Sequence, residues 1–395
     1  MGMVPFLLLV VAFDAPELEI STLKGDTHKG QLQQLNFSTL KLKTSDGQTE
    51  IPVSELLEVR FQITTRPEKN DLAQVVLVDQ SRIGCVKIAA ASQNVVLESP
   101  SLGSFTIPRS SVASIRFSII DTHVHNAWRD LCERTLKKDL LVIRKKHAEG
   151  DILDHLSGVT GDINDQSINF LLGEDDISIN RNKVFGIIYR TRKSETDEPT
   201  CLVRLVGSDV IQTSAVTSDG KQLRATLTTG ADISIPIDKL QSLDFSRGKV
   251  LHLSQIKPRE VRFTPMFDYI PGLFDYRRDC NLSDGGPLQL GNETYARGLA
   301  IHSKTYLRYR IGRDYRRFQA IMGIDNAVAH KGGDVHVVIS GDGKKLLETD
   351  VRGVDKPVPI DLDISGVLNL EILVDFGGDL DIADHLDLAD AKVIK

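Results

Sequence analysis

Tryptophan is nearly absent from this sequence of 395 residues, which holds one Trp, seven Tyr and fourteen Phe, so any aromatic binding surface has to be assembled from few rings. Six of the seven tyrosines (Tyr269, Tyr276, Tyr295, Tyr306, Tyr309, Tyr315) fall in the last third, and Trp128 stands alone near the middle. The four cysteines (Cys85, Cys132, Cys201, Cys280) are scattered without a C-x-x-C, which excludes a zinc site or a disulfide framework built on short spacings. Charge of one sign is also lacking: 48 Lys and Arg face 54 Asp and Glu, with a balance of −1 before Thr264 and −5 from there on. No basic patch is present, so binding of nucleic acid through its phosphates is not expected. There is no G-x-S-x-G elbow, no H-E-x-x-H and no Gly-rich phosphate loop, so the chain reads as a non-enzyme.

Long apolar runs are missing too. The stretch Val4 to Val11 has the length of a signal-peptide core and falls short of the roughly 20 residues of a membrane span. No Lys or Arg precedes it, and the alternative is a buried first strand. The reading adopted is a signal peptide over 1–15 and an exported protein, periplasmic, cell-surface or secreted, with no transmembrane span.

What is present first is a repeat. Ile51 to Phe61 (IPVSELLEVRF), Ile107 to Phe117 (IPRSSVASIRF), Ile179 to Tyr189 (INRNKVFGIIY) and Ile235 to Phe245 (IPIDKLQSLDF) share an opening Ile and a closing aromatic, with starts 56, 72 and 56 residues apart. Alternating apolar and polar residues precede each copy, as at Leu40 and Leu42, and Asp46-Gly47 marks a hairpin. Each copy is then a few short strands, too small to bury a good core alone. The copies resemble small SH3-like or Sm-like β-barrels in pattern and size, which implies a docking stalk with envelope proteins as partners. The spacing predicts one pair of copies over 16–120 and another over 121–255; the pairing of strands between copies is not readable.

Between the pairs, Trp128 to Lys138 places Trp128, Leu131, Cys132 and Leu136 on one face of a predicted short helix. Just before it, Asp121, His123 and His125 alternate, so on a strand all three share one side. That resembles the first metal-binding strand of amidohydrolase-type barrels, but the further βα units are missing, and these positions read as polar residues at a strand end.

From about Val261 the sequence changes to strands separated by Gly and Asp, with Asp342-Gly343 at a tight hairpin and Leu307, Tyr309 and Ile311 alternating with Tyr306, Arg308 and Arg310. The expected fold class is mainly β: tandem small β-barrel-like repeats, then an antiparallel jelly-roll-like β-sandwich over 256–395. Gly298 to Ser303 (GLAIHS), Tyr306 to Ile311, Arg317 to Asp325, Ser340 to Lys344 and Asp384 to Asp387 (DHLD) appear in the order of the carbohydrate-binding-module family NPCBM/NEW2, which this third resembles. The resemblance implies a β-sandwich that binds a glycan or polysaccharide. Many members carry Trp after the closing motif, where this chain has Leu388, so a sugar platform here is expected from tyrosines.

Sugar recognition needs an apolar face against ring C–H groups and polar groups against hydroxyls. Tyr295 and Tyr306 are candidates for the first, and His302, Asp325, Asn326, Asp384 and His385 for the second. His302 also reads as a hydrogen-bonded core residue and Asp325 as a turn anchor. The acidic run Asp379, Asp381, Asp384 and Asp387 reads as a solvated face, with a structural Ca²⁺ as the alternative; no other cofactor is expected. Arg308, Arg310, Arg313, Arg316 and Arg317 read as partners of the acidic segment 334–395 of the same domain, the alternative being an acidic polysaccharide.

Overall fold

The computed structural model describes residues 16–62, 72–118, 122–146, 151–190, 197–207, 209–266, 272–378 and 380–395. The signal-peptide reading, Asp121 and Asp379 lie outside the described residues. The chain divides into two compact units, one ending at Arg247 and one beginning at Gly248.

In the first unit each copy of the repeat is one strand, a single 3₁₀ turn and a second strand. In copy 1 these are Gly47–Pro52, Val53–Glu55 and Leu56–Phe61, and in copy 2 Gly103–Pro108, Arg109–Ser111 and Val112–Arg116. Copies 3 and 4 repeat the arrangement at Asp175–Asn180, Arg181–Lys183 and Val184–Ile188, and at Asp232–Pro236, Ile237–Lys239 and Leu240–Asp244. The closing strand returns to the first strand of its own copy, as Leu56–Phe61 does to Glu17–Thr22, so each sheet curls back on itself. Three of the four turns follow a proline whose fixed φ suits that corner.

Edge pairing joins copy 1 with copy 4 and copy 2 with copy 3. Val59 stands opposite Leu243, and Ile115 opposite Ile187, and each pair occupies the same place in its two copies. A local two-fold axis therefore relates the partners within each pair. Apolar residues of all four copies merge into one core, which satisfies the burial that a single copy could not reach.

The predicted helix forms six residues earlier than the sequence suggested, at Thr122–Cys132, and this corrects the strand reading of 121–125. Val124, Trp128 and Leu131 recur at helical spacing and are all buried, an apolar stripe that outweighs the two-residue alternation of histidines. His125 is exposed on this helix, and a helix does not keep the two-residue alternation of a strand. Cys132 is exposed at the helix end.

Trp128 packs edge-on against Phe185, with ring centroids 5.4 Å apart, and covers Gly186. The other copies hold Glu58, Ser114 and Ser242 at that position. A Cβ on Gly186 would lie 2.6 Å from both the Ile115 carbonyl oxygen and the Trp128 ring. Gly186→Ser, which restores the residue of copies 2 and 4, is expected to destabilise the unit by about 1–3 kcal/mol. Denaturant unfolding followed by Trp128 fluorescence checks it, and an unchanged midpoint would count against the packing described.

The second unit is a two-sheet antiparallel sandwich. One sheet runs Arg277–Arg278, Gly298–His302, His385–Ile394, Arg317–Ile324, Val358–Asp363, and Val250–His252 adds to the far end of His385–Ile394. That last pairing is why the unit starts at Gly248, ahead of the boundary at 256 drawn from the sequence. The other sheet runs Glu260–Phe263, Thr305–Arg310, Asn369–Phe376, Asp334–Gly341, Lys344–Arg352. Strict alternation, as along Asp334–Gly341, sends one face of each sheet into a shared core holding Leu299, Ile301, Leu307, Tyr309, Ile339 and Leu388. Each such aliphatic side chain contributes roughly 1.5–3 kcal/mol by leaving water. Asp342-Gly343 forms the expected hairpin, both residues at positive φ. A second, smaller core lies on the outer face of the first sheet, where the hairpin Leu288–Leu290 and Glu293–Tyr295 places Leu282, Leu288 and Leu290 against Ala300 and Ala389.

Candidate functional site

The outer face of the first sheet brings histidines together. His302 is opposite His385, and Ala300 opposite Asp387, in the pairing of Gly298–His302 with His385–Ile394. Side chains two apart on a strand share a face, so His385 and Asp387 both point outward, beneath the segment that carries the small hairpin. The His302 and His385 ring centroids lie 5.7 Å apart. Phe274 stacks on His302 at 4.1 Å, and its ring edge meets His385 at 6.4 Å. Ser283 reaches His385 Nδ1 at 3.3 Å. Phe274 and His385 are half-buried, and Ser283 is exposed.

Both imidazoles are held neutral. Burial pushes the His302 pKa down, against the opposing effects of its backbone partner and of Asp381. Burial, reinforced by the His302 ring and by the positive charges of Lys331 and Arg277, lowers His385 to about 4. His302 Nδ1 donates to the Ser303 carbonyl, which leaves Nε2 of the neutral ring as an acceptor. The pair presents hydrogen-bonding groups without charge, beside an aromatic ring.

The carboxylates around it are structural. Asp325 caps the short helix Asn326–Ala329 by accepting from the Ala327 amide at 2.8 Å, and its other oxygen takes the Gln289 amide at 3.2 Å. Asp384 accepts from the Ser303 hydroxyl and from the Asp334 amide, tying neighbouring strands. Asn326 clamps the Gly291 turn through both its oxygen and its nitrogen. Asp387 is fully buried, and burial first, then the neighbouring Asp325 carboxyl, raises its pKa well above the ordinary carboxylate value. Burial of this kind favours the neutral form of a carboxyl group.

Of the residues singled out in the sequence, His302 and His385 therefore meet, with Asp325 at the rim. Tyr295 is half-buried against the small outer core. Tyr306 lies on the outer face of the other sheet, with the Arg262 guanidinium 4.3 Å from its ring centre. Leu388 faces the inter-sheet core and is fully buried, so its side chain lines no surface. The ring beside His302 is Phe274, set in a stretch without periodicity, whose only sequence signal was its neighbouring aromatics. Among the described residues, no three of His, Cys, Asp and Glu gather as a ligand set for a cation. The arginine run is partly answered within the unit: Arg308 pairs with Glu260 at 2.9 Å, Arg317 with Asp361, and Arg313 donates to the Gly366 carbonyl at 2.8 Å.

This sandwich carries a histidine and aromatic cluster on one outer face. Residues 265–394 match the family model of the NPCBM/NEW2 domain, and the second unit carries that domain. A curated protein of Renibacterium salmoninarum named "Putative endo-alpha-N-acetylgalactosaminidase" is 33% identical over 112 residues, 28% of this chain and 7% of that protein. The chain thus matches a small part of that relative's length. Among solved structures, CBM51 from Clostridium perfringens GH95 in complex with methyl-galactose is 21% identical, covering 36% of this chain and 99% of that one, at a TM-score of 0.33. CBM51-2 with INT domains from Clostridium perfringens ZmpB, in complex with GlcNAc, is 23% identical, covering 49% and 40% respectively, at a TM-score of 0.34.

Proposed function

We propose that the protein is a non-catalytic, exported carbohydrate-binding protein whose C-terminal sandwich takes a glycan or polysaccharide at the Phe274, His302 and His385 cluster. The paired repeats serve as the stalk that presents it and docks envelope proteins. The single observation that carries the reading is the Phe274 ring stacked on His302 beside the half-exposed His385. An apolar ring offers a surface to sugar C–H groups, and the neutral imidazole of His385 with the Ser283 hydroxyl offers partners to sugar hydroxyls. The match of residues 265–394 to the NPCBM/NEW2 domain supports the same reading.

The positions of the acids beside the cluster support the non-catalytic reading. Glycoside hydrolysis uses two carboxyl groups flanking the scissile bond, whereas Asp325, Asp384 and Asp387 are at most 1% exposed and the first two already accept two hydrogen bonds each. Binding of the full chain to a panel of immobilised neutral and acidic glycans tests the proposal. Saturable binding to at least one glycan, without its cleavage, is expected; no binding across the panel, with an envelope protein captured through the repeats, would replace it with a structural role.

A further inference from the structure

The first unit holds a pocket that the sugar reading does not use. It opens where copies 2 and 3 meet and is lined by Arg109, Thr160, Tyr189, Lys137, Lys138 and Arg190. Arg109 comes from the 3₁₀ turn of copy 2, and Tyr189 is the closing aromatic of copy 3.

Three polar groups there are buried without a partner among the described residues: the Nε and Nη2 of Arg109, the hydroxyl of Tyr189 and the hydroxyl of Thr160. Tyr189 is 7% exposed and Thr160 3%, so water does not stand in freely for the missing partners. Arg109 Nη1 is already committed, donating to the Thr160 carbonyl at 2.8 Å. Its remaining Nε and Nη2 form the edge of the guanidinium that matches two oxygens of a carboxylate, phosphate or sulfate.

Nearby acids do not fill this role. Asp139 lines the same pocket, but its two oxygens accept from the Thr160 and Arg190 amides, each at 2.9 Å. Asp162 stands 3.8 Å from Arg109 Nη2, beyond hydrogen-bond reach, and accepts from the Ser92 amide at 3.1 Å. Lys137, Lys138 and Arg190 leave the mouth positive.

The two-fold axis supplies an internal control. It carries Arg109 and Tyr189 onto Arg181 and Phe117. There the guanidinium lies over the ring, 4.4 Å from its centre, and no hydroxyl is present. Of the four closing aromatics, Phe61, Phe117, Tyr189 and Phe245, one has a hydroxyl, and it sits at the pocket.

We propose that this pocket binds an oxyanion, held on the Nε and Nη2 edge of Arg109 with the Tyr189 and Thr160 hydroxyls donating to it. The proposal rests on the first unit alone and is independent of sugar binding by the second. Calorimetric titration of the full chain with sodium sulfate, inorganic phosphate and glucuronate at constant ionic strength tests it, and the three probes distinguish a sulfate, a phosphate and a sugar carboxylate as the source. One saturable site is expected, weakened roughly ten-fold or more by Arg109→Gln and unchanged by Arg181→Gln. Tyr189→Phe restores the ring of the other copies, so it preserves folding and is expected to weaken binding several-fold. No saturable binding of any probe at tens of millimolar, or binding by Arg109→Gln and Tyr189→Phe as tight as the parent's, would overturn the proposal.

Discussion

The Asp387→Asn variant is expected to melt above the parent protein, with a gap that widens as the pH rises. Asp387 is fully buried beside Asp325, and burial, then that neighbouring carboxyl, hold its pKa well above the ordinary value. In the unfolded chain the group ionises near the ordinary 3.8, while the folded protein retains the proton to higher pH. Across that interval the unfolded state has fewer protons, so stability falls as the pH increases. Asparagine matches the neutral acid in shape and has no proton to lose. Each kcal/mol regained corresponds to about 2–4 °C in a unit of this size. His385 acts in the opposite sense: its pKa drops from 6.5 to about 4, so the unfolded state takes up a proton first and stability is lost as the pH falls through that window. Thermal melting from pH 4 to pH 9 should show both slopes in the parent and the acid slope alone in the variant. An alkaline slope that persists in Asp387→Asn would contradict this account of Asp387.

The second large effect concerns recognition. Phe274→Ala is expected to weaken glycan binding roughly ten-fold or more, since truncating a central aromatic contact costs over about 1 kcal/mol. The fold should be little affected, because Phe274 is half-buried and sits in an irregular segment between strands. Tyr306→Ala, on the other sheet and already engaged by Arg262, should leave affinity unchanged. Equilibrium titration of both variants against the glycan found by the panel measures the contrast; equal losses at the two positions would move the site away from the histidines.

The repeat was legible because Ile, a corner residue and a closing aromatic impose the same strand, turn and strand four times. Its pairing was not, since the edges of similar small sheets are chemically alike, and only the register, with Ile115 opposite Ile187 and Val59 opposite Leu243, reveals which copies meet. The helix at Thr122–Cys132 shows two periodicities in conflict, and the one that buries Val124, Trp128 and Leu131 prevails. The sandwich was readable from period-two alternation, as at Leu307, Tyr309 and Ile311. Its site was readable only in part. His302 and His385 stood out as polar groups in strands, but Phe274 is placed by the tertiary fold. Asp384 and Asp387 look equivalent three residues apart, yet one accepts an amide and a hydroxyl while the other is buried with neither oxygen hydrogen-bonded among the described residues.

The most direct test of the central claim follows the imidazole resonances of the full chain by NMR during titration with the bound glycan. Saturable shifts of His385 and His302, with His336 on the other sheet unmoved, are the predicted result. Saturation that leaves both imidazoles unmoved would contradict it.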